Sequence, residues 1–423
     1  MKTTINPMMQ STSDKAPSFW MDRLARNLVK NQLSKIKYGE IVFRELGEES
    51  YFGQVTQDFP VRVHIDVIHP SVWSDVAFGG SAGSGEAYIK GSWSCNNLLG
   101  LVRIFLRNRH VLDDMDNGLT RFKAPVHKIL HWLRRNTRKG SRRNISAHYD
   151  LGNDLFELFL DPTMMYSCAY YAKPGMTLDE AAVAKLDRIC QKLNLQEGDD
   201  VLEIGTGWGG FAIHAARHYG CKVTTTTISR EQYELAQQRV KEQGLEHKIT
   251  LLFEDYRDLQ GEYDKLVSIE MIEAIGHQYI DTYFEKCSSL LKPDGMMLIQ
   301  AITIADQLYD AALKDVDYIK KFIFPGGFLP SISAMSHSIG RVSDMKLFHL
   351  DDIGPHYART LAHWKQRFFE RIDDVRRAGY SDAFIRMWEY YLNYCEGAFI
   401  ERDIGTVQML LTKPGCRREP VSL

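Results

Sequence analysis

The chain has 423 residues, with 44% hydrophobic and 25% charged residues, the composition of a soluble globular protein long enough for two domains. A formal net charge of −2 excludes a globally cationic nucleic-acid binder, so any attraction to a membrane must come from a local patch. Seven cysteines, at 95, 168, 190, 221, 287, 395 and 416, show neither CxxC pairs nor metal-ligand spacing and read as reduced cytoplasmic thiols, with no metal site expected.

Residues 1–17 are polar, lack the apolar core of a signal peptide and read as a disordered tail. No run of about 18 apolar residues is present, so nothing is expected to span a bilayer. Phe19 to Lys37 has Trp20, Leu24, Leu28 and Leu33 at helical spacing. From Gly39 to about Asp75 the pattern shifts to short β-prone runs: Ile41–Phe43, Val61–Ile65 and Val67–Ile68. The glycine-dense stretch Gly79–Trp93 has no Lys-Ser/Thr after its glycines, so it reads as a tight turn in a β-rich module that ends in a strand. Residues 18–120 are therefore expected to form a small α+β domain.

Residues 121–144 carry Lys123, Lys128, Arg134, Arg135, Arg138, Lys139, Arg142 and Arg143, with Val126, Ile129, Leu130 and Leu133 along one helical side. Two readings stay open. One is a solvated interdomain linker. The other is a helix presenting basic charge to anionic headgroups, each cation contributing about 1 kcal/mol near such a surface. Leu151, Leu155, Phe156 and Phe159 mark a helix, and residues 178–194 another. From 201 the order is strand 201–204, helix 209–219, strand 222–228, helix 230–243, strand 248–253, strand 264–269, helix 278–291 and strand 295–303. Alternation at this spacing implies a parallel sheet with helices on both faces, whose ligands lie beyond the carboxyl ends of the strands. Glu203, Thr227, Asp255 and Glu270 all fall at such ends.

Between the first strand and helix of that series stand Gly205, Gly207, Gly209 and Gly210, a turn where the backbone can approach a ligand that a Cβ would block. The next strand, Val223–Ile228, offers no acid for the ribose of a dinucleotide. Strand-Glu-x-Gly-x-Gly-x-Gly resembles the first motif of class I S-adenosylmethionine methyltransferases. That resemblance places Glu203, Gly205, Gly207, Trp208 and Gly209 at the methyl donor, Thr227 and Gln232 at its ribose, and Asp255 with Tyr256 at its adenine. Ser229 followed by Gln232 is also a capping box, a role that competes for Gln232.

The remaining motifs are more specific. His148–Asp154, Tyr166–Tyr170, Met271–Gly276, Phe322–Ser331, His356–Leu361 and Tyr391–Phe399 resemble, in order and over nearly the whole chain, the cyclopropane-fatty-acyl-phospholipid synthase family. The resemblance implies a Rossmann-like class I methyltransferase sheet over residues 145–423, behind an N-terminal lipid-binding domain and the basic linker. The implied reaction moves a methylene from S-adenosylmethionine onto the cis double bond of an unsaturated acyl chain in a membrane phospholipid. Alternatives are a methyl- or methylene-branched product, or a degenerate lipid-binding protein. Tyr166 and Ser167 join the donor site. A bicarbonate ion is the implied base, held by Cys168, Glu273, the backbone of Ile302 and Tyr357. Gln300 stands where the best-known members have histidine, and a glutamine donates a hydrogen bond but shuttles no proton. Cys395 matches a cysteine once proposed as a nucleophile. Phe322, Phe324, Phe328, Trp364, Phe368, Phe369, Trp388, Tyr390, Tyr391 and Phe399 are expected to include the lining of an acyl channel. The implied setting is a cytoplasmic homodimer, peripheral on the inner membrane, with a phospholipid bilayer as partner and no nucleic acid.

Overall fold

A computed structural model describes residues 19–112 and 152–421 of the chain. The N-terminal tail and the basic stretch 121–144 lie outside the described residues. So does most of the His148–Asp154 motif.

The described residues form two units. The first opens with α1 (Phe19–Leu33), β1 (Gly39–Glu45), β2 (Glu48–Gln54), β3 (Arg62–Val67), α2 (Val72–Ile89), β4 (Trp93–Cys95) and α3 (Leu98–Arg107). Its sheet has the order β2-β1-β3-β4, with β1 and β3 parallel and the outer pairs antiparallel. α1 turns Ala25, Val29 and Leu33 into the core, whereas Leu24 and Leu28, expected on the buried side, are exposed. The glycine-dense stretch is not a turn but most of α2, kinked at Gly80 (φ 54°). Its glycines serve close packing: a Cβ on Gly85 would lie 2.3 Å from the Tyr318 ring, and one on Gly83 would lie 2.1 Å from the Asp75 carbonyl.

The chain order of the second unit is α4 (Asn153–Glu157), α5 (Leu178–Leu193), β5 (Asp200–Ile204), α6 (Gly210–His218), β6 (Lys222–Thr226), α7 (Arg230–Glu242), β7 (Ile249–Leu252), β8 (Tyr263–Ile269), α8 (Ile280–Ser289), β9 (Leu291–Ile304), α9 (Asp306–Lys314), α10 (Ile332–Val342), β10 (Lys346–Asp352), α11 (Gly354–Glu370), α12 (Ile372–Arg377) and, after an excursion, β11 (Ile404–Thr412). The excursion is α13 (Asp382–Ile400), which with residues 316–323 belongs to the first unit. The stretch 145–423, expected as one catalytic domain, therefore contributes segments to both units. α13 is held where it is because Tyr88 donates to Glu389 at 2.8 Å, and because Arg103 and Arg107 meet Glu401 just beyond the helix at 2.6 and 2.7 Å.

The sheet of the second unit runs β10-β11-β9-β8-β5-β6-β7. The five strands from β9 to β7 are parallel, and β11 and β10 continue antiparallel at one edge. The expected parallel strands and their helices are all present. The antiparallel pair was not foreseen. Strand order reverses between β5 and β8, and that switch point is where a doubly wound sheet opens a crevice. Successive residues of β5 face opposite sides: Leu202 and Ile204 enter the core formed with α8, while Val201 packs with Leu186 and Ile189 of α5. Glu203, in phase with Val201, is therefore directed to the α5 side. α5 is well defined at both ends, by a reciprocal capping box between Thr177 and Glu180 and by Asn194 in the left-handed region.

Candidate active site

At the switch point the glycine turn is tied down from several sides. The backbone N–H groups of Gly205 and Thr206 both donate to the Thr226 carbonyl, at 3.1 and 3.0 Å. Arg239 donates to the carbonyls of Trp208 at 2.7 Å and Thr163 at 3.2 Å. Gly205, Gly207 and Gly209 have φ of 104°, 52° and 84°. Nothing lies within 4 Å of a Cβ built on Gly207, so the turn leaves space beside that residue, as a donor cradle requires. Trp208 is buried, its indole N–H donating to Asn153 at 2.7 Å and its ring 4.9 Å from Phe156. Tyr166 completes the cluster, 5.2 Å from Phe156 and 5.1 Å from Trp364. Motifs scattered from residue 153 to 364 thus meet at one place.

Thr227 and Gln232 are buried and bonded to each other at 2.9 Å. Ser229 caps α7 by accepting from the Gln232 N–H, but the Gln232 side chain turns to Thr227, so the capping box is only half formed. The Asp255 carboxylate is gripped by the Arg257 guanidinium at 2.7 and 2.6 Å. The Tyr256 ring, expected beside adenine, packs edge-on to Tyr283 at 5.5 Å.

Beneath the turn lies a buried charge cluster. Thr225 donates to Glu203 at 2.7 Å, and burial pushes the Glu203 carboxyl up to about 8 despite that bond and the nearby Lys185. Lys185 of α5 is fully buried and donates to Ser167 at 2.9 Å. Burial lowers its ammonium to about 8, with Glu270 and Asp161 opposing the shift. Lys185 had a sequence signal that was passed over: it interrupts an apolar helical face between Ala181 and Ile189.

The groups expected to hold bicarbonate do converge, but on the chain's own carboxylates. Glu270, immediately after β8, accepts from the Cys168 backbone N–H at 2.9 Å, the Gln300 amide at 2.7 Å and the Tyr357 hydroxyl at 2.7 Å. The Ile302 N–H donates to Glu273 at 2.5 Å. Each donor assigned to the ion is thus taken, and these residues do not fit a bicarbonate in addition. The Cys168 thiol donates to the carbonyls of Ala169 and Ile353, and burial raises it well above its ordinary value; its backbone is the working part. Burial also raises Glu270, against its three hydrogen bonds. Glu273 is pushed up to about 8 by burial and by the like charge of Glu270, and its Oε2 has no hydrogen-bond partner. Cys395 belongs to the first unit, on α13, where burial raises its thiol above its ordinary value, the opposite of what a nucleophile needs.

The unforeseen strand β11 explains how Gln300 is aimed. Gln408 sits directly opposite Gln300 in the ladder and donates to its Oε1 at 2.9 Å. Lys192 donates to Gln408 Oε1 at 2.8 Å and to Asp351 at 2.7 Å. A lysine only donates, so Gln408 must turn its oxygen to Lys192 and its NH2 to Gln300. Gln300 then presents its own NH2 to Glu270. Gln408→Met is expected to lower turnover by up to about 100-fold through misplacement of that donor, with donor affinity unchanged, as kcat and KM will show separately.

Fold and site together define a class I S-adenosylmethionine-dependent methyltransferase. More narrowly, the chain belongs to the mycolic acid cyclopropane synthetase family, whose model matches residues 136–409. It is 39% identical to a cyclopropane-fatty-acyl-phospholipid synthase of Escherichia coli (strain K12), over 82% of this chain and 87% of that one. It is 38% identical to a tuberculostearic acid methyltransferase of Mycobacterium tuberculosis, over 79% of this chain and 80% of that one. Among solved structures, a mycolic acid cyclopropane synthase complexed with SAH and CTAB superposes with a TM-score of 0.60 at 32% identity, covering 64% of this chain and 98% of that one.

Proposed function

We propose that this chain methylates the cis double bond of unsaturated acyl chains in membrane phospholipids and closes the product to a cyclopropane. The observation that carries this reading is the match to the E. coli synthase over most of both chains, well beyond the part shared with the mycobacterial structure. The donor supplies a methyl group on a sulfonium. The chain's own groups do the rest: the glycine turn, Thr227 and Gln232 orient the donor, and the aromatic cluster of Phe156, Tyr166, Trp208 and Trp364 keeps water out. The carboxylates of Glu270 and Glu273 favour the positive charge that develops on the alkene. Residues 121–144 would supply the basic contact to anionic headgroups at the cytoplasmic membrane face. Among the described residues no helix is long and apolar enough to cross a membrane.

A second reading, methylation without ring closure, is favoured by the similarity to the tuberculostearic acid methyltransferase. Labelled S-adenosylmethionine and oleoyl-phospholipid vesicles separate the two. The expected result is a cyclopropane ester by mass and NMR; a methyl- or methylene-branched ester supports the second reading, and no transfer removes both.

A further inference from the structure

We propose that the Glu270 carboxylate stands where the family resemblance puts a bicarbonate ion, and that it is the base of the reaction. The inference rests on the alkene-methylation reading. Its first support is the donor set: the Cys168 N–H, the Gln300 amide and the Tyr357 hydroxyl, all assigned to the ion, bond instead to Glu270. Its second is backbone strain. Glu270 has φ of 49°, in the left-handed region that glycine enters freely and a residue with a side chain rarely adopts. At Glu270 that conformation coincides with three converging donors, and the conjunction points to a functional position. The third is Gln300. Because Gln408 fixes its amide, it presents a permanent donor to Glu270 and cannot take the proton itself.

The electron count closes without a co-reactant beyond the donor and the lipid. The π pair of the alkene forms a C–C bond to the methyl carbon as the S–CH3 pair stays on sulfur, leaving a cation on the second alkene carbon. A C–H bond of the new methyl then breaks, its pair closes the ring, and the proton passes to Glu270. Two hydrogen bonds fall on Oε1 and one on Oε2, so of about four acceptor positions one remains on Oε2 to receive it. The resulting acid loses its proton to solvent after product release.

The test uses the full chain in carbonate-free buffer with oleoyl-phospholipid vesicles. Turnover of the natural protein is expected to be the same with and without added bicarbonate. Glu270→Gln is expected to lose about 100-fold or more, the ordinary effect of removing a positioned base. Glu270→Gly, which suits the backbone and opens the cage, is expected to be inactive until bicarbonate is added. A second readout needs no turnover: 13C-bicarbonate resonances should broaden with Glu270→Gly and not with the natural protein. Bicarbonate dependence or bicarbonate binding in the natural protein would overturn the proposal, as would full activity of Glu270→Gln. If no alkene lipid is methylated at all, the functional reading fails, while the NMR titration still decides what fills the cage.

Discussion

Replacing Glu273 with glutamine is expected to slow methyl transfer by about 100- to 1,000-fold and, at pH above about 8, to make the protein more stable than the natural one. Both effects come from the same cost. Glu273 Oε1 accepts from Ile302 N–H while Oε2 is buried with no hydrogen-bond partner. Burial, then the charge of Glu270, raises the carboxyl from 4.5 to about 8 in the folded protein. The folded state therefore holds this proton more tightly than the unfolded chain does. The associated stability is fully present below pH 4.5 and is lost as pH rises through about 8. Glutamine keeps the Ile302 bond and carries no charge, so the gain should be small at pH 5 and on the order of a few kcal/mol at pH 9. Urea melts of both proteins at the two pH values check this, and parallel pH dependences would refute it. Loss of a preorganised charge facing a developing cation costs about 100- to 1,000-fold in rate. A residue whose removal stabilises the fold and slows the chemistry is held for the chemistry.

The parallel half of the sheet was legible because most of its strands are short β-prone runs that alternate with helices, and one of those helices, α7, carries its own start signal at Ser229. β10 and β11 were not, because an antiparallel pair whose members are separated by α11, α12 and α13 has no local signature. That omission hid Gln408, and with it the reason Gln300 points as it does. α2 was misread because glycine density signals either a turn or close packing, and only the Tyr318 ring against Gly85 tells which. In the site, Cys168, Gln300, Ile302 and Tyr357 were found as a set by resemblance. What they hold was not, since the same donors suit a free anion or a tethered one. Glu270 had been noticed only as an acid at a strand end. The left-handed φ and the three converging donors that give it a role exist only in the folded chain.

Donor affinity is expected to rise with pH between about 6 and 8 and then to level off, with a proton released on binding at pH 7. Glu203 and Glu273 sit near 8 because burial penalises their charge, and Lys185 is the cation whose field opposes that penalty at Glu203. At neutral pH the ligand-free site therefore holds protons on carboxyls that would otherwise be ionised. A sulfonium brought into this low-dielectric pocket favours the ionised form and drives those protons out. Below about 8 each proton so displaced makes affinity up to tenfold weaker per pH unit; above it the carboxylates are already charged and the slope vanishes. Calorimetric titration with S-adenosylmethionine at pH 7, in buffers of different ionisation enthalpy, counts the protons directly. The neutral analogue with nitrogen in place of sulfur, kept uncharged, should release none. Glu273→Gln should flatten the pH slope by removing one titrating group, and if affinity in that variant still climbs as steeply as in the natural protein, the charge that meets the sulfonium is not on Glu273.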